Sequence, residues 1–235
     1  MMQGMLLVNK PAGMTSHDVA QVVRRKLGVR RVGHTGTLDP MAEGLLILLV
    51  GEATKHQAAF QHHEKAYEAT VWLGTRTDTG DATGRAVETT PVLPLDPDGV
   101  AGVLASMRGA VSQTPPSYSA VKVRGRPAYW WARRNAPVAL RARTVQIAEL
   151  TLVRLTPPTL TFRVRCSAGT YVRTLAEQIA QRLGTVGHLT ALTRVRIGEW
   201  TVEDAKPLAW IQQADPASIS HALLPVPASP TLPHA

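Results

Sequence analysis

The sequence holds one cysteine, Cys166, among 235 residues. A single thiol rules out an intrachain disulfide, and a cysteine-based zinc site needs more than one. Cys166 lies in "TLTFRVRCSAG", where it shares one face of an alternating strand with Leu160, Phe162 and Val164, and it reads as core packing. Long hydrophobic runs are also missing: the strongest, Leu45 to Val50, is far too short to span a bilayer. The N-terminal "MMQGMLLVNKPAG" has neither a charged n-region nor a long h-region, so a cytoplasmic protein is expected. No GxGxxG, GxSxG or Walker A spacing occurs ("GEATK" lacks the glycines), which argues against dinucleotide redox chemistry, serine-nucleophile hydrolysis and nucleotide hydrolysis. His34, His62 and His63 have no carboxylates at ligand spacing, so no metal site is expected there, and His62-His63 reads as exposed loop.

Acidic residues are scarce as well. Lys and Arg number 26 against 17 Asp and Glu, for a net charge of +9 and a pI near 10.3. That balance suits a polyanionic partner. The bases concentrate in "RRKLGVRR", in "KVRGRPAYWWARR" and between Arg163 and Arg196, whereas only Lys206 follows Thr201. Tyr118, Tyr129, Trp130 and Trp131, interleaved with these bases, favour a nucleic-acid face.

The patterning is that of an α+β protein with a mixed, largely antiparallel sheet. "MLLVNK" reads as a strand. A helix capped by Thr15 or Ser16 is predicted over Ser16 to Leu27, with Val19, Val22, Val23 and Leu27 on one face and Gly28 as its stop. Leu45 to Val50 shows no alternation and reads as a strand buried on both faces. "KAYEATVWLG" alternates as a strand, and about 96–107 is predicted as a helix. Thr144 to Val153 and Leu160 to Ser167 pair as a hairpin through Pro157-Pro158. A helix from Tyr171 to Leu183 carries an apolar stripe of Val172, Leu175, Ala176, Ile179 and Leu183, with Arg173 off it. The Pro-rich end is expected to be poorly ordered.

One carboxylate stands out. In "VGHTGTLDPMAEGLLILLVGEATK", Pro40 biases Asp39 away from helical geometry, the glycines permit close backbone approach, and a buried strand follows as anchor. Asp-Pro with nearby glycine is also ordinary turn chemistry, so local composition leaves both readings open.

This segment closely resembles the hallmark motif of the bacterial tRNA pseudouridine-55 synthases, the TruB family. "LLVNKPAGMTSHDV", "KAYEATVWLGTRTDTGDATG", "QTPPSYSAVKVRGRPAYWWAR" and "CSAGTYVRTLAEQIAQRLG" resemble further family blocks, in family order over residues 5–200. The resemblance implies a pseudouridine-synthase fold with its active-site cleft across the sheet. It implies isomerisation of one T-loop uridine of tRNA, at position 55. The N1–C1′ bond breaks, the base turns, and C5 joins C1′, without metal or cofactor.

Asp39 is the implied nucleophile, either at C6 of the base or at C1′ of the ribose. Arg173 is implied to pair with that carboxylate, and Tyr67 to stack on the uracil and assist removal of the C5 proton. Leu192 would pack on the base, and His34 would hold the RNA open once the nucleotide is flipped out. Lys10 is expected to give structural support with an RNA contact. Asp78, Tyr118, Lys122 and Arg133 fall on positions near the RNA or base.

The expected layout is a catalytic domain over 1–205, with a mobile RNA-gripping insertion about 113–143. A short extension over 206–235 would follow, too short for the C-terminal RNA-binding (PUA) domain of many family members. The expected partner is the T-arm of tRNA, with the protein acting as a monomer away from membranes. The competing readings are an RNA-binding or tRNA-folding protein, and a synthase for another RNA, including a guide-RNA-dependent relative.

Overall fold

The computed structural model describes residues 2–136 and 138–227. In chain order it runs β1 (Gly4–Lys10), α1 (Ser16–Leu27), β2 (Val32–His34), β3 (Glu43–Val50), a 3-10 turn (Gly51–His56), α2 (Gln57–Gln61), β4 (Lys65–Leu73), β5 (Thr75–Thr77) and β6 (Ala86–Thr89). Next come α3 (Pro97–Ser106), β7 (Gly109–Gln113), β8 (Lys122–Val123), β9 (Arg126–Pro127), α4 (Ala128–Ala132), β10 (Arg143–Thr156) and β11 (Thr159–Cys166). The chain ends with α5 (Val172–Arg182), β12 (Gly187–Ile197), β13 (Trp200–Thr201), β14 (Lys206–Pro207), α6 (Leu208–Gln213) and α7 (Pro216–His221). Contacts divide the chain into two compact units, one comprising residues up to Tyr67 and from Leu192 onward, the other Glu68–Ala191. β4 and β12 each run from one unit into the other.

In the first unit β1 pairs antiparallel with β3 and parallel with β14, and β3 pairs antiparallel with β2 and parallel with the end of β12. β1 and β3 are apolar on both faces because both faces are covered. Leu6, Val8, Leu46, Leu48 and Val50 face Val19, Ala20, Val23 and Leu27 of α1. Met5, Leu7, Leu45, Ile47 and Leu49 face Ala53, Phe60 and Ile197. α1 starts with a capping box: Asp18 N donates to Thr15 Oγ1 (3.1 Å) and Thr15 N to Asp18 Oδ2 (2.9 Å). It stops at Gly28, in the left-handed conformation.

Two expectations are corrected in this unit. The boundary at 205 is no boundary, because Leu208, Ile211 and Ile219 of α6 and α7 enter the core beside α1. The spaced prolines hid two short helices with one apolar face each. His63 is not exposed loop but half-buried, its ring edge-on to Trp200 at 5.4 Å. The Pro-rich end over 228–235 lies outside the described residues.

In the second unit the sheet order is β4-β11-β10-β7, with the start of β12 beside β4, where Thr190 Oγ1 donates to Thr70 O (3.2 Å). The predicted hairpin is β10–β11, antiparallel and longer than its apolar alternation suggested. Cys166 is fully buried at its end. Two small hairpins, β5–β6 and β8–β9, stand apart from the sheet. α3 formed over the predicted span and α5 was legible from its stripe, but β12 was not assigned, although "GHLTALTRVRI" alternates. Among the described residues no helix is long and apolar enough to cross a membrane.

Candidate active site

The Asp39 turn is held by its main chain. β2 leads in, pairing His34 with Leu48 of β3, and β3 leads out. Between them the carbonyls are taken one after another. Arg194 Nη2 donates to Gly36 O and Nη1 to Thr37 O, both at 3.3 Å, while its Nε donates to Leu45 O at 2.8 Å. Leu38 is gripped at both ends by one hydroxyl: its N–H donates to Ser16 Oγ (2.9 Å), which donates back to Leu38 O (3.2 Å). Asp39 O accepts from Ala42 N at 3.1 Å, and Pro40 O accepts from Gly13 N at 2.8 Å and Lys10 Nζ at 3.3 Å. Asp39 is left half-buried at the turn.

Lys10 and Arg194, at 0% and 1% exposure, are the two buried cations beneath this turn. Lys10 also donates to Met14 O (2.6 Å) and Pro11 O (2.9 Å), so its three protons serve three carbonyls. Burial pushes the Lys10 ammonium down to about 8; Glu43 and Asp39 pull it back up while Arg194 pushes it further down. The expected RNA contact of Lys10 is therefore corrected: its head group lies in the interior, committed to main chain. Its support role fits that placement.

His34 is half-buried, and its carbonyl accepts from Gln57 Nε2 at 2.9 Å. Its buried Nδ1 has no hydrogen-bond partner among the described residues. Burial, then Arg194 and His17, lower its pKa, so the ring is neutral at pH 7. Tyr67 on β4 and Leu192 on β12 complete the expected residues of the first unit, both buried.

The second unit carries the rest. Arg173, off the apolar stripe of α5, is nevertheless interior, at 4% exposure. Its Nη1 donates to Thr79 O (2.8 Å) and its Nη2 to Tyr118 O (2.9 Å), and Nε lies 3.8 Å from Asp81 Oδ2. Apolar periodicity does not register a guanidinium buried on polar partners. Asp81 is itself locked, its Oδ1 accepting from Thr79 Oγ1 (2.8 Å), Thr83 Oγ1 (2.6 Å) and Thr83 N (3.0 Å).

Sequence reasoning singled out Asp78 and missed Asp81. Asp78 closes its own turn, accepting from Arg85 N at 2.8 Å, whereas Asp81 meets Arg173. Two others were missed here. Gln113, fully buried, accepts from Tyr171 N (3.0 Å) and thereby holds the N-terminus of α5, which has no side-chain cap. Glu177 lines, with Arg76, Arg173 and Gln178, a polar cavity of about 490 Å³. Burial raises the pKa of Glu177, with Arg76 and Arg173 opposing.

Lys122 and Arg133 sit on an aromatic module. The β8–β9 hairpin turns at Arg124 and Gly125, both at positive φ (51° and 76°), the backbone that a tight two-residue hairpin requires. α4 follows with Trp130 and Trp131 edge-to-face at 4.8 Å, and Trp131 Nε1 donates to Val123 O (3.1 Å). Arg134 lies 3.7 Å over the Trp130 ring, Arg126 lies 5.4 Å from it, and Arg133 lies 5.4 Å from Tyr129. Lys122, Arg126, Arg133 and Arg134 are all exposed. Exposed guanidinium planes on aromatic faces are a surface for phosphates and unstacked bases.

Comparison with known proteins bears out the family read from the motifs. The family model described as TruB family pseudouridylate synthase (N terminal domain) matches residues 24–172. The tRNA pseudouridine synthase B of Aromatoleum aromaticum is 48% identical over 225 residues, 96% of this chain and 73% of that protein. The protein of the same description from Opitutus terrae is 43% identical over 225 residues, 96% of this chain and 93% of its own. A chain in the crystal structure of a Cbf5-Nop10-Gar1 complex superposes with a TM-score of 0.73 at 26% identity, covering 95% of this chain and 60% of that one. The chain belongs to the TruB family of pseudouridylate synthases, with their α+β fold, and is by that an isomerase of uridine.

Proposed function

We propose that this enzyme converts the T-loop uridine of tRNA, position 55, to pseudouridine, with Asp39 as nucleophile acting on a flipped-out nucleotide. The observation that carries the reading is the Asp39 turn, whose carbonyls from Gly36 to Pro40 all have partners, leaving a half-buried carboxylate on a fixed support. Fixed placement is what a nucleophile needs, since approach within about 3–3.5 Å in the right orientation removes much of the barrier. The relatives described as tRNA pseudouridine synthase B favour tRNA as substrate.

Roles follow for the other residues. Tyr67 stacks on the uracil and assists proton removal at C5, Leu192 packs on the base, and Arg173 pairs with the Asp39 carboxylate. Neutral His34 fills the vacancy left by the extruded nucleotide, offsetting part of the few kcal/mol that unstacking costs. Lys122, Arg126, Arg133 and Arg134, on their aromatic supports, take the phosphates of the T-arm. The test is Asp39→Asn with a T-arm hairpin and whole tRNA. Pseudouridine formation should vanish while the dissociation constant stays within a few-fold; retained isomerisation would remove Asp39 as nucleophile. A second reading, that RNA binding itself is the function, draws on the Trp130–Arg134 module. It would gain if purified protein alone bound tRNA but left every uridine unmodified.

A further inference from the structure

Three buried polar side chains, Lys10, Ser16 and Arg194, hold the Asp39 turn, and the last two are outside every motif-based assignment. Ser16 is 2% exposed and Arg194 1%. An interior guanidinium is costly to keep charged unless its field or its hydrogen bonds are used. Arg194 has no carboxylate at ion-pair distance among the described residues; its donors go to the carbonyls of Gly36, Thr37 and Leu45. A second buried cation, Lys10, serves the same turn through Pro40 O. A core built for stability alone would not commit two interior cations to the carbonyls of one turn.

What the pair and Ser16 share is the loop they hold. Arg194 ties the entrance of the turn to the first residues of β3, Ser16 ties Leu38 to the first turn of α1, and Lys10 ties Pro40 to the chain after β1. The main chain of Arg194 adds to this, packing against Gly44 in the parallel register of β12 with β3.

We infer that Arg194, with Ser16, is a positioning residue for the isomerisation: it touches neither base nor ribose, and it fixes the peptide units from which Asp39 projects. This rests on Asp39 being the nucleophile. A guanidinium is needed because three carbonyls in different directions must be met at once, and a lysine head group at the end of one stem cannot repeat the fork.

The test measures three quantities for Arg194→Met, Arg194→Lys and Ser16→Ala: the single-turnover rate on saturating tRNA, the tRNA dissociation constant, and the thermal midpoint. Ile211→Ala, a core truncation in α6, serves as the stability control. A shift of the nucleophile by about 1 Å costs on the order of 100-fold in rate, and that loss is expected for Arg194→Met. Arg194→Lys should stay at least about tenfold down, and Ser16→Ala about tenfold down, on the same reasoning. Dissociation constants should stay within about threefold. Ile211→Ala should lower the midpoint while keeping the rate within about twofold, which separates positioning from loss of fold.

A folded Arg194→Met at the wild-type rate would overturn the inference, as would losses that only track the midpoint. If Arg194→Met does not fold, full rates in Arg194→Lys and Ser16→Ala overturn it equally. Asp39→Asn is run alongside. If it retains isomerisation, the nucleophile reading itself fails; if it is dead while the Arg194 variants are at full rate, only the positioning role fails.

Discussion

Gly44→Ala is the sharpest test of how the Asp39 turn is anchored. Gly44 has φ +101°, a region that L-residues avoid. A Cβ there would lie 2.9 Å from Arg194 N and 3.0 Å from Arg194 C, and closer still to Arg194 O. All three are backbone atoms of a paired strand, so no side chain can swing aside. The left-handed backbone costs roughly 1–2 kcal/mol, and overpacking a tight site adds about 1–3 kcal/mol. The reduced entropy of the unfolded chain returns about 0.4–1 kcal/mol. The net is a destabilisation of about 1–5 kcal/mol, which for a chain of this size lowers the thermal midpoint by roughly 2–20 °C. Circular-dichroism melts and urea titrations measure it. Gly102→Ala is the control of opposite sign, because Gly102 is an exposed helical residue with nothing within 4 Å of its would-be Cβ. It should gain up to about 1 kcal/mol. If Gly44→Ala is as stable as the wild type, the close β3–β12 approach is not what anchors the turn.

Other outcomes follow from single contacts. Thr15→Ala removes half of the α1 capping box and should cost about 0.5–2 kcal/mol in urea unfolding, with Thr15→Ser close to wild type. Lys10 is lowered from 10.5 to about 8 in the folded state, so between those values the unfolded chain holds more protons and stability rises with pH. Relative to Lys10→Met, which cancels the other titrating groups, the wild type should gain about 3 kcal/mol from pH 8 to 10.5; a flat difference would contradict the shift. Trp130→Ala strips the support from Arg126 and Arg134 and should weaken tRNA binding by about 1–3 kcal/mol, with the single-turnover rate at saturation little changed. Wild-type affinity should fall steeply with salt, by a log–log slope near −0.7 for each single-strand phosphate contact, and a salt-insensitive affinity would argue against the exposed arginine face.

Local pattern was enough for much of the framework. The apolar run of β3, the stripe of α1 between Thr15 and Gly28, and the alternation of β10 and β11 are each produced by neighbours in the chain, and each formed where its period placed it. The motifs, read as blocks in order, were enough for the family. Pro40 and the surrounding glycines left Asp39 open as either a turn residue or a presented carboxylate, and the family resemblance of the ordered blocks is what singled it out.

What escaped was polar and non-local. Arg194 lies more than 150 residues from the carbonyls of Gly36 and Thr37, and no periodicity announces that pairing. The face it shares with Leu192 on β12 was the available signal, since an arginine at an inward strand position must have partners. Asp81 and Asp78 are equivalent by composition; only the fold puts one beside Arg173 and leaves the other to close a turn. Lys10 likewise reads as a supporting lysine with an RNA contact until the fold buries its head group and leaves only the support. The sequence by itself determined the apolar framework elements and the family, and singled out Asp39 as the candidate nucleophile, because local periods and ordered motif blocks can be read without the fold. The tertiary structure alone decided which charges face inward and which carbonyls they hold, because the cost of burying a charge depends on partners that only folding brings within 3 Å or so.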